Sequence, residues 1–174
     1  MARLADVPTP TSPKEKRVPK PPPDPFALLP VTFQAHQVLV MMPFEGEEMD
    51  QTYAALKEVC ASLGLVAGRA DENVGSGFVI REIINMMSTA EFIIFDLTNE
   101  RPNVYYELGF AHGIGNHAYN ILLIARDGSK IHFDIAPLRV RYYRSPDHLK
   151  TIVTHNLKEM VRLTREQNAA NAEP

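Results

Sequence analysis

Two carboxylates stand out by type and spacing. Asp96 follows the apolar run Phe92-Ile93-Ile94-Phe95, and Glu107 lies further along the segment Asp96-Leu97-Thr98-Asn99-Glu100-Arg101-Pro102-Asn103-Val104-Tyr105-Tyr106-Glu107-Leu108-Gly109. An aspartate that ends an apolar strand sits where a solvated loop begins. A glutamate in the first or second turn of a helix meets the positive end of the helix dipole, which favours its ionised form. Such a carboxylate is available as a nucleophile or electrostatic stabiliser. The pattern alone is equally well explained by a loop cap and a surface acid near a helix start, where acids are common. Gly109 in the same helix costs about 1 kcal/mol relative to alanine, so an interior glycine there calls for close packing or close approach of a ligand.

Other polar residues cluster nearby in sequence. Gly75-Ser76-Gly77 precedes a helical pattern, so its backbone amides and the Ser76 hydroxyl could cradle a phosphate. Ordinary turns share that composition, and no Gly-Lys-Ser phosphate loop is present. Asp71 is either an acid beside the same crevice or a turn former. Arg69 either meets a phosphate or pairs with Asp71. Phe44, Tyr105 and Tyr106 either stack a nucleobase or pack at a junction. His112 does not share the face of Glu107 closely. His36, His117, His132, His148 and His155 have no metal-ligand spacing, so no metal site and no cofactor are expected. Cys60 recurs with Leu56 and Leu63 at helical intervals and reads as a core residue.

The elements that must position these residues follow from periodicity. Strands are predicted at Val38 to Met42, Leu65 to Arg69, Phe92 to Phe95, Ile121 to Ala125 and Val140 to Tyr143. Helices are predicted at about Glu47 to Leu63, Phe78 to Met87, from Pro102 to Gly113 or Gly115 with Asn103 as N-cap, and Asp147 to Arg165. Short strands alternating with helices predict a parallel sheet. The strand Phe92 to Phe95, apolar on both faces, belongs at its centre. The expected fold is α/β, a flavodoxin-like doubly wound five-stranded parallel sheet of order 2-1-3-4-5 with helices on both faces. Ligands of such sheets bind beyond the carboxyl ends of the strands, here between the first and third. That brings Pro43, Phe44, Asp96 and the Glu107 helix to one crevice.

The whole chain sets the bounds. Its 174 residues suffice for one domain, and 45% hydrophobic with 22% charged residues is ordinary for a globular protein. A net charge of −3 gives no overall basic field for a nucleic-acid polymer. No apolar run approaches a membrane span and no signal-like stretch is present, so a cytoplasmic protein without membrane contact is expected. Residues 1–32, with Pro21-Pro22-Pro23 and Pro25, read as a disordered proline-rich arm. Its Lys14, Lys16, Arg17 and Lys20 could touch an acidic partner, although a solvated tail needs none. Residues 33–166 read as the domain and 167–174 as a polar, frayed tail.

The runs Val40-Met41-Met42-Pro43-Phe44, Arg69-Ala70-Asp71, Ile94-Phe95-Asp96-Leu97-Thr98 and Pro102-Asn103-Val104-Tyr105-Tyr106-Glu107-Leu108-Gly109-Phe110-Ala111-His112 resemble a bacterial branch of the nucleoside 2-deoxyribosyltransferase-like superfamily. The resemblance spans Val38 to Tyr143. It implies a flavodoxin-like fold shared with deoxyribosyltransferases and nucleotide N-glycoside hydrolases, a group often compared with TIR domains, some of which cleave NAD. In the first two groups the glutamate of a motif similar to Tyr106-Glu107-Leu108-Gly109 attacks the anomeric carbon, so the resemblance implies that role for Glu107. It implies that Asp96 binds sugar hydroxyls or orients Glu107.

The departures are Met42-Pro43-Phe44-Glu45, where those enzymes have a glycine-rich or polar loop, and Ile83, with Glu82 adjacent, where an aspartate assists the departing base. Asp71 is the candidate substitute. Ligand contacts are expected from Pro43, Phe44, Arg69, Ser76, Gly77, Asn103 and Tyr106. The implied function is N-glycosidic cleavage or base exchange on a nucleoside, nucleotide or NAD-like dinucleotide, in a homodimer. The alternatives are a non-catalytic nucleotide-sensing module and a TIR-like assembly domain.

Overall fold

Alternating apolar strands and amphipathic helices build one five-stranded parallel sheet. The computed structural model of the protein describes residues 34–44, 46–69, 79–114, 120–135 and 137–172. In chain order the elements are β1 (Gln34–Met41), α1 (Glu47–Ser62), β2 (Val66–Arg69), α2 (Val79–Thr89), β3 (Ala90–Asp96), α3 (Pro102–Gly113), β4 (Ile121–Arg126), β5 (Val140–Tyr143) and α4 (Pro146–Ala172). The strand order is β2-β1-β3-β4-β5 with every pair parallel. This is the expected flavodoxin-like α/β arrangement.

Every residue of β3 is buried, as its lack of polar alternation requires. Its side chains divide by parity. Phe92 and Ile94 pack with Leu56, Cys60, Leu149, Val153 and Leu157, in the layer covered by α1 and α4. Ile93 and Phe95 pack with Met87, Val104, Leu108 and Ala111, in the layer covered by α2 and α3. Cys60 is fully buried, and burial pushes its thiol up to about 12, so it is an inert core residue.

Several boundaries differ from the sequence pattern. β1 begins earlier than Val38, at Gln34, with a register irregularity between Gln34 and Val38 around His36, whose φ is 69°. The His36 amide donates to the buried Glu91 carboxylate, which also pairs with Arg165 of α4. This polar clamp, absent from the apolar pattern, holds the extra residues of β1. The N-cap position of α3 is Arg101, with Pro102 in its first turn and Asn103 already helical. Proline at the helix start needs no amide partner, so Asn103 is not the cap. α4 runs to Ala172, past the predicted stop at Arg165. Arg162 pairs with Glu159 and Glu166 along its exposed face, which supports helix where no apolar stripe remains. The polar tail is therefore helical as far as Ala172. The arm lies outside the described residues.

Candidate functional site

The crevice at the carboxyl ends of the strands is built from both layers, and parity decides which side chains meet in it. Asp96 has the parity of Phe92 and Ile94, so its side chain points toward the α1 and α4 layer and away from α3. It is fully buried. Its Oδ1 accepts the Thr98 amide at 2.9 Å and its Oδ2 accepts the Tyr143 hydroxyl at 3.0 Å. The Thr98 hydroxyl lies 3.4 Å from the Tyr143 oxygen and accepts the Arg126 amide at 3.0 Å. Thr52 of α1 also hydrogen-bonds the phenol.

Each proton has a place in this network. The Tyr143 proton goes to Asp96, leaving the Thr98 hydroxyl to donate to the phenolic oxygen. The result is a buried latch joining the ends of β3, β4 and β5 to α1. Burial pushes the Asp96 carboxyl above the ordinary carboxylate range, while the hydrogen bonds from Thr98 and Tyr143 pull it back down. Burial, with the Asp96 charge, pushes the Tyr143 phenol up to about 12.

Glu107 sits on the other side of the sheet. Val104, Leu108 and Ala111 are the buried face of α3. At roughly 100° per residue, Tyr105 falls on one flank of that face and Glu107 on the other, in a row with Asn103, Phe110 and Ile114. The Tyr105 flank meets the β4–β5 connection, where the Tyr105 hydroxyl accepts the His132 amide at 3.5 Å and the two rings meet edge to face at 6.4 Å. The Glu107 flank is therefore turned toward α2 and the switch point between β1 and β3. Glu107 is half-buried and has no hydrogen-bond or ion-pair partner among the described residues. Burial pushes its carboxyl up to about 7.

The structure thus does not bring Asp96 and Glu107 together. Both Asp96 oxygens are engaged within the latch, on the face of the sheet opposite α3. Met86, four residues beyond Glu82 on the same flank of α2, lines a cleft with Leu39 and Gly68 at the β1–β2 side. Glu82 is thereby turned away from α3. Ile83 packs into the core beneath α2.

The other expected contacts are distributed around the rim. Pro43 is buried, and Phe44 is 41% exposed. The Arg69 guanidinium lies over the Phe44 ring at 5.8 Å and the Tyr53 ring at 4.9 Å, and pairs with Asp50 at 3.5 Å. Asn103 is exposed, and Tyr106 is 61% exposed with its ring turned to solvent. Asp71, Ser76 and Gly77 lie outside the described residues. A Cβ added to Gly109 would meet nothing within 4 Å, so close packing among the described residues does not explain that glycine.

A polar cleft of about 410 Å³ lies directly above the latch, lined among others by Thr98, Asn99, Arg126, Ser129 and Lys130. Asn99 and Glu100 at its edge hold positive φ angles of 68° and 45°, costing on the order of 1–3 kcal/mol each. Arg126 in this cleft pairs with Glu48 of α1. Sequence reasoning missed Tyr143, Thr98 and this β4 rim. The only signal for Tyr143 was a polar atom at the inward end of a strand, which reads equally as packing. Among the described residues no group of three metal-ligating side chains occurs, and no helix is long and apolar enough to cross a membrane.

No family model matches the sequence, and no curated protein does. The fold is similar to that of a 2-deoxyribosyltransferase from the psychrotolerant bacterium Bacillus psychrosaccharolyticus. The TM-score is 0.52 at 17% sequence identity, over 66% of this chain and 90% of that one. The E. coli constitutive lysine decarboxylase is similar over 73% of this chain and 17% of that one, with a TM-score of 0.48 at 11% identity. At 17% identity the likeness to the transferase is one of fold.

Proposed function

We propose that the protein cleaves or exchanges the N-glycosidic bond of a nucleoside, nucleotide or NAD-like dinucleotide, with Glu107 as nucleophile. The observation that carries this reading is the Glu107 carboxyl. It is half-buried without a partner among the described residues, on the crevice-facing flank of α3, and raised to about 7. An ionisable group left desolvated without an ion pair is costly as a structural feature and common in reactive sites.

In the proposed step a Glu107 oxygen forms a bond to the anomeric carbon as the C–N bond breaks, and the bonding pair leaves on the base nitrogen. Water, or a second base, then displaces the carboxylate from the same carbon, as in retaining glycoside cleavage. A neutral purine or pyrimidine leaves as an anion unless an acid protonates it. A pyridinium base leaves neutral and needs no proton. Asp96 faces the other layer and Glu82 is turned away, so neither is well placed to serve as that acid. This favours a cationic leaving group of the NAD type, or Asp71 as the acid.

The test is incubation of wild type and Glu107→Ala with a panel of nucleosides, nucleotides and NAD, following free base by chromatography. Base released by wild type and absent with the variant supports the reading and identifies the substrate class. No release from any member, with calorimetric binding retained, favours the nucleotide-sensing alternative, which the engagement of Asp96 within the latch also supports.

A further inference from the structure

The amino ends of the strands carry a second cleft, independent of the Glu107 crevice. β5 pairs with β4 only from Leu123 onward, so the backbone edge of Ile121 and Leu122 extends beyond its neighbour. A cleft of about 200 Å³ wraps around that uncovered edge, reached by His112 from α3 on one face and by Asn156, Met160 and Leu163 from α4 on the other. Arg141 in β5 and Arg139 just before the strand both line the cleft.

We propose that this cleft binds a small organic anion carrying an apolar tail. Three observations combine. The lining holds two arginines and a histidine but no carboxylate, and neither arginine has an ion-pair partner among the described residues. Arg141 is oriented in advance: its Nε donates to Asn156 Oδ1 at 3.1 Å, and Asn156 is itself fixed by donating Nδ2 to the Ile152 carbonyl at 2.8 Å. That leaves both terminal amino groups of the guanidinium for a two-point contact with a carboxylate or phosphate. The floor on the α4 side, formed by Leu122, Met160 and Leu163, is apolar and offers an inorganic ion nothing, whereas an alkyl chain is desolvated against it. The volume lies below the roughly 300–1,000 Å³ of drug-sized pockets, which limits the tail to a short chain.

The experiment titrates the full chain by calorimetry with octanoate, octyl phosphate, octanamide, acetate and inorganic phosphate, and follows the arginine Nε signals by NMR. Octanoate or octyl phosphate binds with one-to-one saturation and shifts the Arg141 Nε signal, and the tighter of the two identifies the head group. Octanamide, which lacks the charge, and acetate or inorganic phosphate, which lack the tail, bind at least about tenfold more weakly. Arg141→Gln weakens the amphiphile at least about tenfold, and Arg141→Lys also weakens it because the fork is lost. Arg139→Gln, at an exposed position, shifts affinity in the same direction and provides the test should Arg141→Gln fail to fold. No saturable binding by either amphiphile, equal binding of octanamide or of the tail-less ions, or unchanged affinity in both glutamine variants overturns the proposal.

Discussion

The latch beneath the crevice makes a prediction that separates a structural Asp96 from a substrate-binding one. Replacing Tyr143 with phenylalanine removes the donor at 3.0 Å from the buried Asp96 Oδ2. Hydrogen bonds to charged groups are worth about 1.5–3 kcal/mol, and an orphaned buried acceptor costs a comparable amount, so Tyr143→Phe should lose about 2–3 kcal/mol.

The pH dependence follows from Asp96, whose folded-state pKa lies above the ordinary value near 4. Folded protein then holds its proton to higher pH than unfolded chain, so Asp96 detracts from stability as pH rises through its folded pKa. Loss of the phenolic donor raises that pKa further, and the Tyr143→Phe deficit should therefore grow with pH. Asp96→Asn keeps an acceptor for the Thr98 amide and removes the buried charge. It should stay within about 1 kcal/mol of wild type at pH 5 and be no less stable at pH 8. The double variant should lose less than the sum of the singles, because the phenol has no carboxylate left to serve. Urea unfolding from pH 5 to pH 9 measures all three. A Tyr143→Phe cost below about 0.5 kcal/mol at every pH, or additive losses, would refute the latch. If Asp96→Asn keeps its stability but loses base release, Asp96 acts on substrate after all.

Other consequences are more direct. If Glu107 is the nucleophile, base release should rise with pH through about 7 as its carboxyl ionises, and a pH profile of kcat/KM that is flat between 6 and 8 would exclude it. The same raised pKa means that Glu107 detracts from stability increasingly from the ordinary carboxylate range up through about 7; Glu107→Gln should be more stable than wild type at pH 8 and indistinguishable at pH 4 by thermal melting. Gly109→Ala should gain about 0.5–1 kcal/mol, since the added Cβ meets open space in a helix. If that variant retains base release, the ligand-approach explanation of the glycine fails. Arg165→Ala leaves Glu91, buried on β3, without its guanidinium, and should cost about 3 kcal/mol by denaturant unfolding, whereas an unchanged midpoint would show that the His36 amide suffices.

The architecture was legible because it rests on patterns that the sequence writes directly. β5 matches its predicted span, and the core ends of β1, β3 and β4 fall where the apolar runs do. Apolar pattern also located α1, whose buried Met49, Tyr53, Leu56 and Cys60 recur at helical intervals. What pattern missed was polar in origin. The extra residues of β1 are tied to Glu91, the end of α4 is held by Arg162 pairs, and proline set the start of α3 where a cap was expected at Asn103.

The face that Asp96 takes was hidden from the sequence for a more specific reason. In a half-exposed strand, polar and apolar residues alternate, and the pattern reveals which face an end residue shares. In β3 both faces are covered, so Phe92, Ile93, Ile94 and Phe95 carry no parity signal, and the face of Asp96 could be learned only from the helices that cover each side. Proximity to the strand end placed Asp96 near the crevice, but a single residue of parity separates the latch from the Glu107 layer. Helix α3 escapes this ambiguity because Val104, Leu108 and Ala111 fix its buried face, and the flanks follow from helical rotation. The flank that carries Glu107 could thus be read from the helical pattern where the face of Asp96 could not, and with Asp96 turned into the other layer the proposed cleavage calls for a base that departs without a proton or for an acid outside the described residues.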